Sequence, residues 1–151
     1  HRQRLAMLSG SVGIIKVGAD SKVEMKEKKD RVEDAIYATK AALKEGIVPG
    51  GGVALLNASQ KISAKAVGEE ILLKAIQAPF YTILDNAGIT MLDGYEDHEG
   101  YGVDCVTGER ATMVSAGIID PVLVTKSALK NAVSVVLTII SADCVISNMR
   151  D

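Results

Sequence analysis

Apolar residues recur at helical spacing over most of this chain, and the clearest case is the charged segment 21–45. Its apolar stripe consists of Met25, Val32, Ile36 and Leu43. These positions fall on one narrow face of an α-helix, so we expect the helix to bury that face. Ser21 and Glu24 form the S-x-x-E pattern of a capping box at its start. Gly46 is suited to end the helix.

The rest of the pattern predicts shorter elements joined by polar or glycine-containing links. We expect helices over residues 53–62, 67–86 and 109–116, and a strand over residues 12–17. Pro79 falls inside the second of these helices and should kink or interrupt it, because proline removes a helical hydrogen bond.

The last predicted helix is apolar on most of its sides. Asp120 and Pro121 stand where an N-cap residue and a first-turn proline are favoured, which predicts a helix from there to about Ser141. A helix that is apolar all round is usually buried at the centre of a domain. The fold class predicted from these patterns is mainly α with small β elements.

Composition narrows the classes of function. The chain has 151 residues and a formal charge of −2, which argues against nucleic-acid and membrane partners because both need a basic surface. The most apolar run, residues 132–140, is too short to span a bilayer, and no signal peptide is visible. Cys105 and Cys144 lack metal-type spacing and are expected to be buried, reduced thiols.

Two aspartates and a glycine run are candidates for chemistry. Asp34 lies nearly opposite the apolar stripe, where a carboxylate could activate water, although a solvated surface charge is the simpler interpretation. Gly50 to Gly52 precede a helix, so their amides could approach a phosphate or a ribose, with a flexible joint as the alternative. Asp120 could accept hydroxyls from a ribose as well as cap its helix.

Other catalytic and metal motifs are absent from the sequence. The glycine run lacks the Gly-Lys-Ser/Thr of a Walker A loop, and no G-x-S-x-G motif is present. The acidic run 93–99 does not match a calcium loop, and His98 has no partner at ligand spacing. We therefore predict an exposed loop or hairpin there and no metal site.

Six blocks of sequence follow one another in a fixed order. They are Gly13-Ile-Ile-Lys-Val-Gly18, Val23-Glu-Met-Lys-Glu-Lys-Lys29, Arg31-Val-Glu-Asp-Ala35, Glu45-Gly-Ile-Val-Pro-Gly-Gly-Gly-Val-Ala-Leu55, Gly117-Ile-Ile-Asp-Pro121 and Val124-Thr-Lys-Ser-Ala-Leu129. Together they resemble the group I chaperonins, the GroEL family of ATP-driven folding machines. The family's phosphate loop is missing, so the resemblance implies a C-terminal fragment.

The resemblance implies three domain pieces. Residues 1–12 would end the apical domain, and residues 13–44 would be the C-terminal half of the α+β intermediate domain. Residues 45–151 would be the C-terminal half of the equatorial domain, a helical bundle that binds ATP.

The same resemblance implies roles for individual residues. Asp34 matches the catalytic aspartate that activates the attacking water. Gly51 matches a glycine whose backbone touches the ribose, and Asp120 matches the aspartate that binds ribose hydroxyls. Ile118 matches an apolar residue that packs on adenine.

One implied contact departs from the family pattern. Asp104 and Cys105 match an asparagine–alanine pair that contacts the base. An ionised aspartate accepts hydrogen bonds but donates none, whereas asparagine does both. Asp104 could still receive the adenine amino group, but any donated bond is lost.

The resemblance implies an ATPase coupled to protein folding. Its cofactors would be ATP with Mg²⁺ and K⁺, and its partners would be unfolded clients, a co-chaperonin and copies of itself in heptameric rings. Domain swings driven by ATP would switch a ring cavity between capture and enclosure. The expected location is a bacterial-type cytoplasm, with the mitochondrial matrix or plastid as alternatives.

Two other classes of function stay open at this point. One is an assembly module of a degenerate chaperonin that has no ATPase activity, and the other is a compact ATP enzyme such as a small-molecule kinase. The kinase would need a phosphate cradle within these residues. The isolated fragment is itself expected to be inactive, because that cradle would lie upstream.

Overall fold

A computed structural model describes residues 13–90, 98–144 and 146 of the chain. Predictions that fall on residues 1–12 and 91–97 lie outside this described part. The chain divides into two compact units, His1–Tyr37 and Ala38–Asp151, and each unit is described by itself.

The first unit contains the start of the long charged helix. Helix α1 spans Lys22–Glu45, and the predicted cap is present at its first turn. The backbone N–H of Glu24 donates to Ser21 Oγ at 3.2 Å. Lys28 Nζ donates to the carbonyl of Gly18 at 3.2 Å, which connects the helix to the segment before it.

Two expectations for this part of the chain are wrong. Residues 13–18 form no strand, since an isolated β-branched run needs a neighbouring strand for its hydrogen bonds. The stripe of α1 is not buried, because Met25 is 42% and Leu43 is 83% exposed. Among the described residues of α1, only Ala41 is buried.

The second unit holds the remaining helices and all the described strands. In chain order they are β1 (Ile47–Pro49), α2 (Val53–Lys61), α3 (Val67–Ala75), α4 (Ala78–Asn86), β2 (Tyr101–Val103), β3 (Arg110–Thr112), β4 (Ile119–Pro121) and α5 (Val122–Ile140). The predicted break at Pro79 is confirmed, because proline stands in the first turn of α4, just after α3 has ended. The predicted fold class, mainly α with small β elements, is confirmed as well.

The strands form two small antiparallel sheets. In the first sheet, β1 pairs with β4 in the register Ile47↔Pro121, Val48↔Asp120 and Pro49↔Ile119. In the second, β2 pairs with β3 in the register Tyr101↔Thr112, Gly102↔Ala111 and Val103↔Arg110. The helix predicted over residues 109–116 is therefore wrong, because pairing with β2 overrides the local helical pattern.

The core of the second unit lies between α2, α4 and the β2–β3 hairpin. Its buried residues are Val53, Leu56, Phe80, Leu84 and Met113, and Ile89, Val103 and Ile118 pack against them. The hairpin approaches this core closely at Gly102. A Cβ added there would lie 2.6 Å from Val53 Cγ2 and 2.7 Å from Met113 Sδ, so only glycine fits.

Helix α5 differs from its prediction in two respects. It begins at Val122 with Pro121 as its N-cap residue, and no side chain caps it. Asp120 is therefore not the cap, because its backbone is already paired with Val48 in the sheet. None of the α5 residues is buried within the described part of the chain, so the predicted core position is wrong there.

The apolar surface of α5 forms one wall of a groove of about 860 Å³. Residues from α2, α3 and α4 form the other walls, and Lys126 of α5 pairs with Glu45 at the end of α1 at 2.7 Å. The apolar run 132–140 is by itself too short to cross a bilayer. The whole of α5 is long and apolar enough to do so, judged by length and composition alone. A core helix of a soluble protein has the same properties, which makes this weak support for a membrane span.

Both cysteines are free thiols, and both are exposed. The predicted burial of Cys105 and Cys144 is therefore wrong. Cys105 lies in the turn of the β2–β3 hairpin and Cys144 follows α5, so neither reaches the core of the second unit.

Candidate functional site

The β1–β4 ladder brings three predicted site residues to one place in the second unit. Val48 pairs with Asp120, and the N–H of Gly50 donates to the carbonyl of Ile118 at 3.0 Å. Gly51 follows directly, so its backbone lies beside the segment that carries Ile118 and Asp120. A glycine turn, an apolar side chain and a carboxylate therefore converge, although they come from distant parts of the sequence.

The glycine run is packed against the core and is not a flexible joint. Gly51 and Gly52 have φ angles of 65° and 79°, in the left-handed region that favours glycine. A Cβ on Gly52 would lie 2.7 Å from the backbone nitrogen of Phe80, and one on Gly51 would lie 2.9 Å from Met113 Cε. The backbone of Phe80 therefore excludes a side chain at Gly52, whereas at Gly51 the positive φ angle is the main reason for glycine, because the end of the Met113 side chain can move.

Asp120 is the ionisable residue of the apolar groove. Its half-buried carboxyl group lies among the lining residues together with Pro49 and Gly52. Burial removes water from the charged form and so raises the pKa of Asp120 above its ordinary value. Within the described part of the chain, no hydrogen-bond donor or cation pairs with this carboxylate. Such a group favours a ligand that supplies hydroxyl donors.

Ile118 links the glycine run to the core. Its N–H donates to the carbonyl of Met113 at 2.8 Å, and its half-buried side chain packs against the core cluster. The remaining exposed part of this side chain is an apolar surface next to the Gly50 hydrogen bond. A flat aromatic ring could pack on such a surface.

Asp104 and Cys105 occupy the turn that joins β2 to β3. The N–H of Asp104 donates to the carbonyl of Glu109 at 2.9 Å, and its own carbonyl accepts from Gly108 at 2.7 Å. Its side-chain Oδ1 accepts from the N–H of Val106 at 2.9 Å. The carboxylate of Asp104 therefore holds its own turn, while the thiol of Cys105 is exposed beside it.

Asp34 belongs to the first unit. It is exposed on α1, as expected for a carboxylate opposite the apolar stripe. Asp30 and Arg31 lie one turn before it on the same helix, and Arg31 pairs with Glu27. The geometry within this unit is compatible with a solvated carboxylate that is available to a water molecule.

A carboxylate and an apolar surface are groups that could contact a sugar and a base. Asp120 offers an unpaired acceptor for ribose hydroxyls, and Ile118 offers an apolar surface. No group of three or more His, Cys, Asp or Glu residues that could hold a metal ion occurs in residues 13–90, 98–144 and 146.

Sequence reasoning missed the residues that support this site. Met113 packs under Gly51 and also against Gly102, but it stood in a segment predicted to be helical. Phe80 supports Gly52 in the same way. Phe80 is the single phenylalanine of the chain. Because a large aromatic side chain favours a central packing position, this residue could have been predicted to lie in the core.

The chain is similar to known proteins both in sequence and in fold. Residues 5–150 match the sequence model of the TCP-1/cpn60 chaperonin family. The fold is similar to a crystal structure of a group III chaperonin in the open state, with a TM-score of 0.71 and 26% sequence identity. That match covers 86% of this chain but only 30% of the solved chain. Assignment to group I within the family stays a prediction.

Proposed function

Because the chain belongs to the TCP-1/cpn60 chaperonin family, we propose that it supplies the ribose and base half of a nucleotide site in an ATP-driven protein-folding subunit. The chain spans less than a third of the solved chaperonin that it matches. The complete reaction therefore belongs to a full-length subunit that contains these residues.

The state of the Asp120 carboxylate carries this proposal. It is half-buried, its pKa is raised by loss of water, and no described group donates to it. Two neighbouring hydroxyls of a ribose would supply the missing donors to its two oxygens. Gly51 lies beside it with its backbone held by packing, and Ile118 would contact the face of the base.

Asp34 is proposed to act in hydrolysis and not in binding. Its exposed carboxylate would accept a proton from the attacking water once nucleotide is bound. Mg²⁺ bound to the nucleotide would neutralise phosphate charge, and one or two carboxylates are enough to hold it. K⁺, like Mg²⁺, would bind to the full-length subunit.

In the full-length subunit, binding and hydrolysis would drive domain rotations in a ring. Those rotations would switch the ring between capturing unfolded chains and enclosing them, with a co-chaperonin as lid. Heptameric rings in a bacterial-type cytoplasm, or in an organelle derived from bacteria, agree with the group I resemblance. An assembly module without ATPase activity would have no need of an unpaired, partly buried Asp120.

The test compares binding with hydrolysis in the full-length subunit. Asp120→Ala should weaken Mg-ATP binding about tenfold or more, since hydrogen bonds to a charged group are worth about 1.5–3 kcal/mol. Asp34→Ala should leave Mg-ATP affinity nearly unchanged and reduce turnover by at least about a hundredfold.

Matched controls come from exposed aspartates. Asp30→Ala lies on the same exposed surface of α1 as Asp34, and Asp85→Ala lies on α4 away from the described site. Both should behave as the unmodified subunit. Full ATP affinity in Asp120→Ala would contradict the proposed ribose contact, and loss of binding in Asp34→Ala would contradict the division of roles.

A further inference from the structure

Met113 lies where several parts of the proposed nucleotide site meet. It directly follows β3, it is 1% exposed, and it belongs to the core cluster of the second unit. Its carbonyl accepts the N–H of Ile118 at 2.8 Å, and its own N–H donates to the carbonyl of Gly100 at 3.0 Å. The main chain of Met113 therefore joins the segment that leads to Asp120 to the residue before β2.

The side chain of Met113 reaches from the hairpin to the glycine run. A Cβ added to Gly102 would lie 2.7 Å from Met113 Sδ, and one added to Gly51 would lie 2.9 Å from Met113 Cε. The middle of this side chain is therefore packed against Gly102, and its terminal methyl group is packed against Gly51. Methionine suits this position, because its unbranched and flexible side chain fills irregular gaps in a core.

The terminal methyl group fills space that Gly51 cannot fill with a side chain of its own. The end of a methionine side chain can move aside for an added atom, but removal of the methyl group would leave a gap next to the Gly51 backbone. Atoms that line such a gap lose their packing contacts, so the backbone could shift into it. A ribose that contacts Gly51 would shift as well, and its hydrogen bonds to Asp120 would weaken because their geometry would worsen.

We propose that Met113 is a positioning residue, whose terminal methyl group holds the Gly51 backbone where the ribose hydroxyls meet Asp120. The inference rests on the proposed function, since it assumes that a ribose contacts both Gly51 and Asp120. It goes further by giving a buried core side chain a role in recognition of the sugar. The base contact should not depend on this side chain, because Met113 binds Ile118 through its main chain.

The test measures equilibrium binding of Mg-ATP and of the Mg complex of 2′,3′-dideoxy-ATP to the full-length subunit and to Met113→Leu. Leucine has as many side-chain heavy atoms as methionine but is branched and one atom shorter, so the core stays filled while the contact with Gly51 is lost. The unmodified subunit should bind ATP about tenfold more tightly than the dideoxy nucleotide. In Met113→Leu this ratio should fall to about threefold or less, through a loss of ATP affinity alone.

A second core residue provides the matched control. Leu84 lies on α4 in the same buried cluster, and Leu84→Ile changes its shape at a constant number of atoms. This variant should lower the melting temperature about as much as Met113→Leu does, yet it should leave the ratio of the two affinities unchanged. An equal reduction of the ratio in Leu84→Ile would show that general loosening of the core is sufficient, and it would contradict the role of Met113.

Two more substitutions at this position keep the test decisive. Met113→norleucine retains an unbranched side chain of the same length without the sulfur, so it should retain the preference for ATP. Far-ultraviolet dichroism shows whether each variant is folded before its binding is compared. Met113→Ile is also branched and one atom shorter, and it takes the place of Met113→Leu if the leucine variant is unfolded.

Each outcome distinguishes this inference from the proposed function. If the unmodified subunit prefers ATP to the dideoxy nucleotide and folded Met113→Leu keeps the same preference, the inference is wrong and the proposed function stands. If Met113→Leu loses the same affinity for both nucleotides, Met113 only stabilises the fold, and the inference is also wrong. If the folded unmodified subunit binds both nucleotides equally, the proposed ribose contact fails, and the inference fails with it.

Discussion

Val48 and Asp120 are paired residues of the β1–β4 ladder, and this pairing determines where the Asp120 carboxylate lies. The ladder continues into the hydrogen bond from Gly50 to Ile118. As a result, a carboxylate that could have capped α5 is instead held beside the glycine run. The proposed ribose contact depends on this placement.

The first prediction concerns the pH dependence of stability. The pKa of Asp120 is raised in the folded chain, so the folded state binds its proton more tightly than the unfolded state does. Stability should therefore fall as the pH rises from the ordinary aspartate pKa through the raised value, and it should stay lower above that. Asp120→Asn should remove this fall and raise the melting temperature at pH 7.

Thermal unfolding of both proteins between pH 3 and pH 7 checks this prediction. Asp85→Asn serves as the control, because Asp85 is exposed on α4. A melting temperature at pH 7 that is lower in Asp120→Asn than in the unmodified protein would show that the folded state stabilises the charged form.

The second prediction concerns Gly52. Its φ of 79° and the 2.7 Å approach of an added Cβ to Phe80 predict that Gly52→Ala destabilises the fold by about 2–4 kcal/mol. Gly68→Ala is the matched control. Gly68 lies in α3 with no atom within 4 Å of an added Cβ, so alanine there should be neutral or stabilise by up to about 1 kcal/mol.

Urea unfolding of these two variants measures both free energies. Equal effects at Gly52 and Gly68 would mean that the glycine run is not packed against Phe80 as described. A large loss confined to Gly52→Ala would support a rigid backbone in front of α2, which the ribose contact requires.

The third prediction concerns the two cysteines. Cys105 and Cys144 are free and exposed, so in the isolated chain both thiols should react with a thiol reagent at similar rates with and without denaturant. Cys105→Ser and Cys144→Ser assign the two reactions. Slow modification of either thiol until denaturant is added would contradict its exposure.

The fourth prediction concerns the activity of the 151-residue chain alone. We expect no saturable ATP hydrolysis, because no phosphate loop occurs in its sequence and its described residues form no cluster of three or more possible metal ligands. Phosphate release at increasing ATP concentration measures this. Saturable hydrolysis that is lost in Asp34→Ala would mean that the chain holds a complete active site.

Local patterns predicted the elements that depend on local interactions. The capping box at Ser21 and the break at Pro79 need only neighbouring residues, and both are present in the structure. The helix end at Gly46 belongs to the same class, since its φ of 85° is a local property of glycine.

Elements that depend on distant partners could not be predicted in this way. The segment 109–116 has a helical pattern, but Arg110 to Thr112 form a strand because β2 lies beside them. The prediction that Asp120 caps α5 was wrong for the same reason. Asp120 pairs with Val48, which is distant in the sequence. The apolar surface of α5 was recognised, but its burial depends on neighbours that the described chain does not supply.

The sequence named candidate residues for the site but not their geometry, and the roles of those residues stay predictions. The resemblance to chaperonins named Gly51, Ile118 and Asp120, and the structure shows the ladder and the hydrogen bond that place them together. The resemblance could not show that Met113 and Phe80 support the glycine run. The resemblance also could not show that Asp104 uses one carboxylate oxygen to accept a hydrogen bond within its own turn.

The most direct test of the ribose contact compares ATP with 2′,3′-dideoxy-ATP in equilibrium binding to the full-length subunit and to Asp120→Asn. Removing the ribose hydroxyls should weaken binding to the unmodified subunit about tenfold. The same change in nucleotide should have little effect in Asp120→Asn, because the charged acceptor is already gone. An equal loss of affinity in both proteins would show that the hydroxyls do not bind Asp120, and it would contradict the central claim.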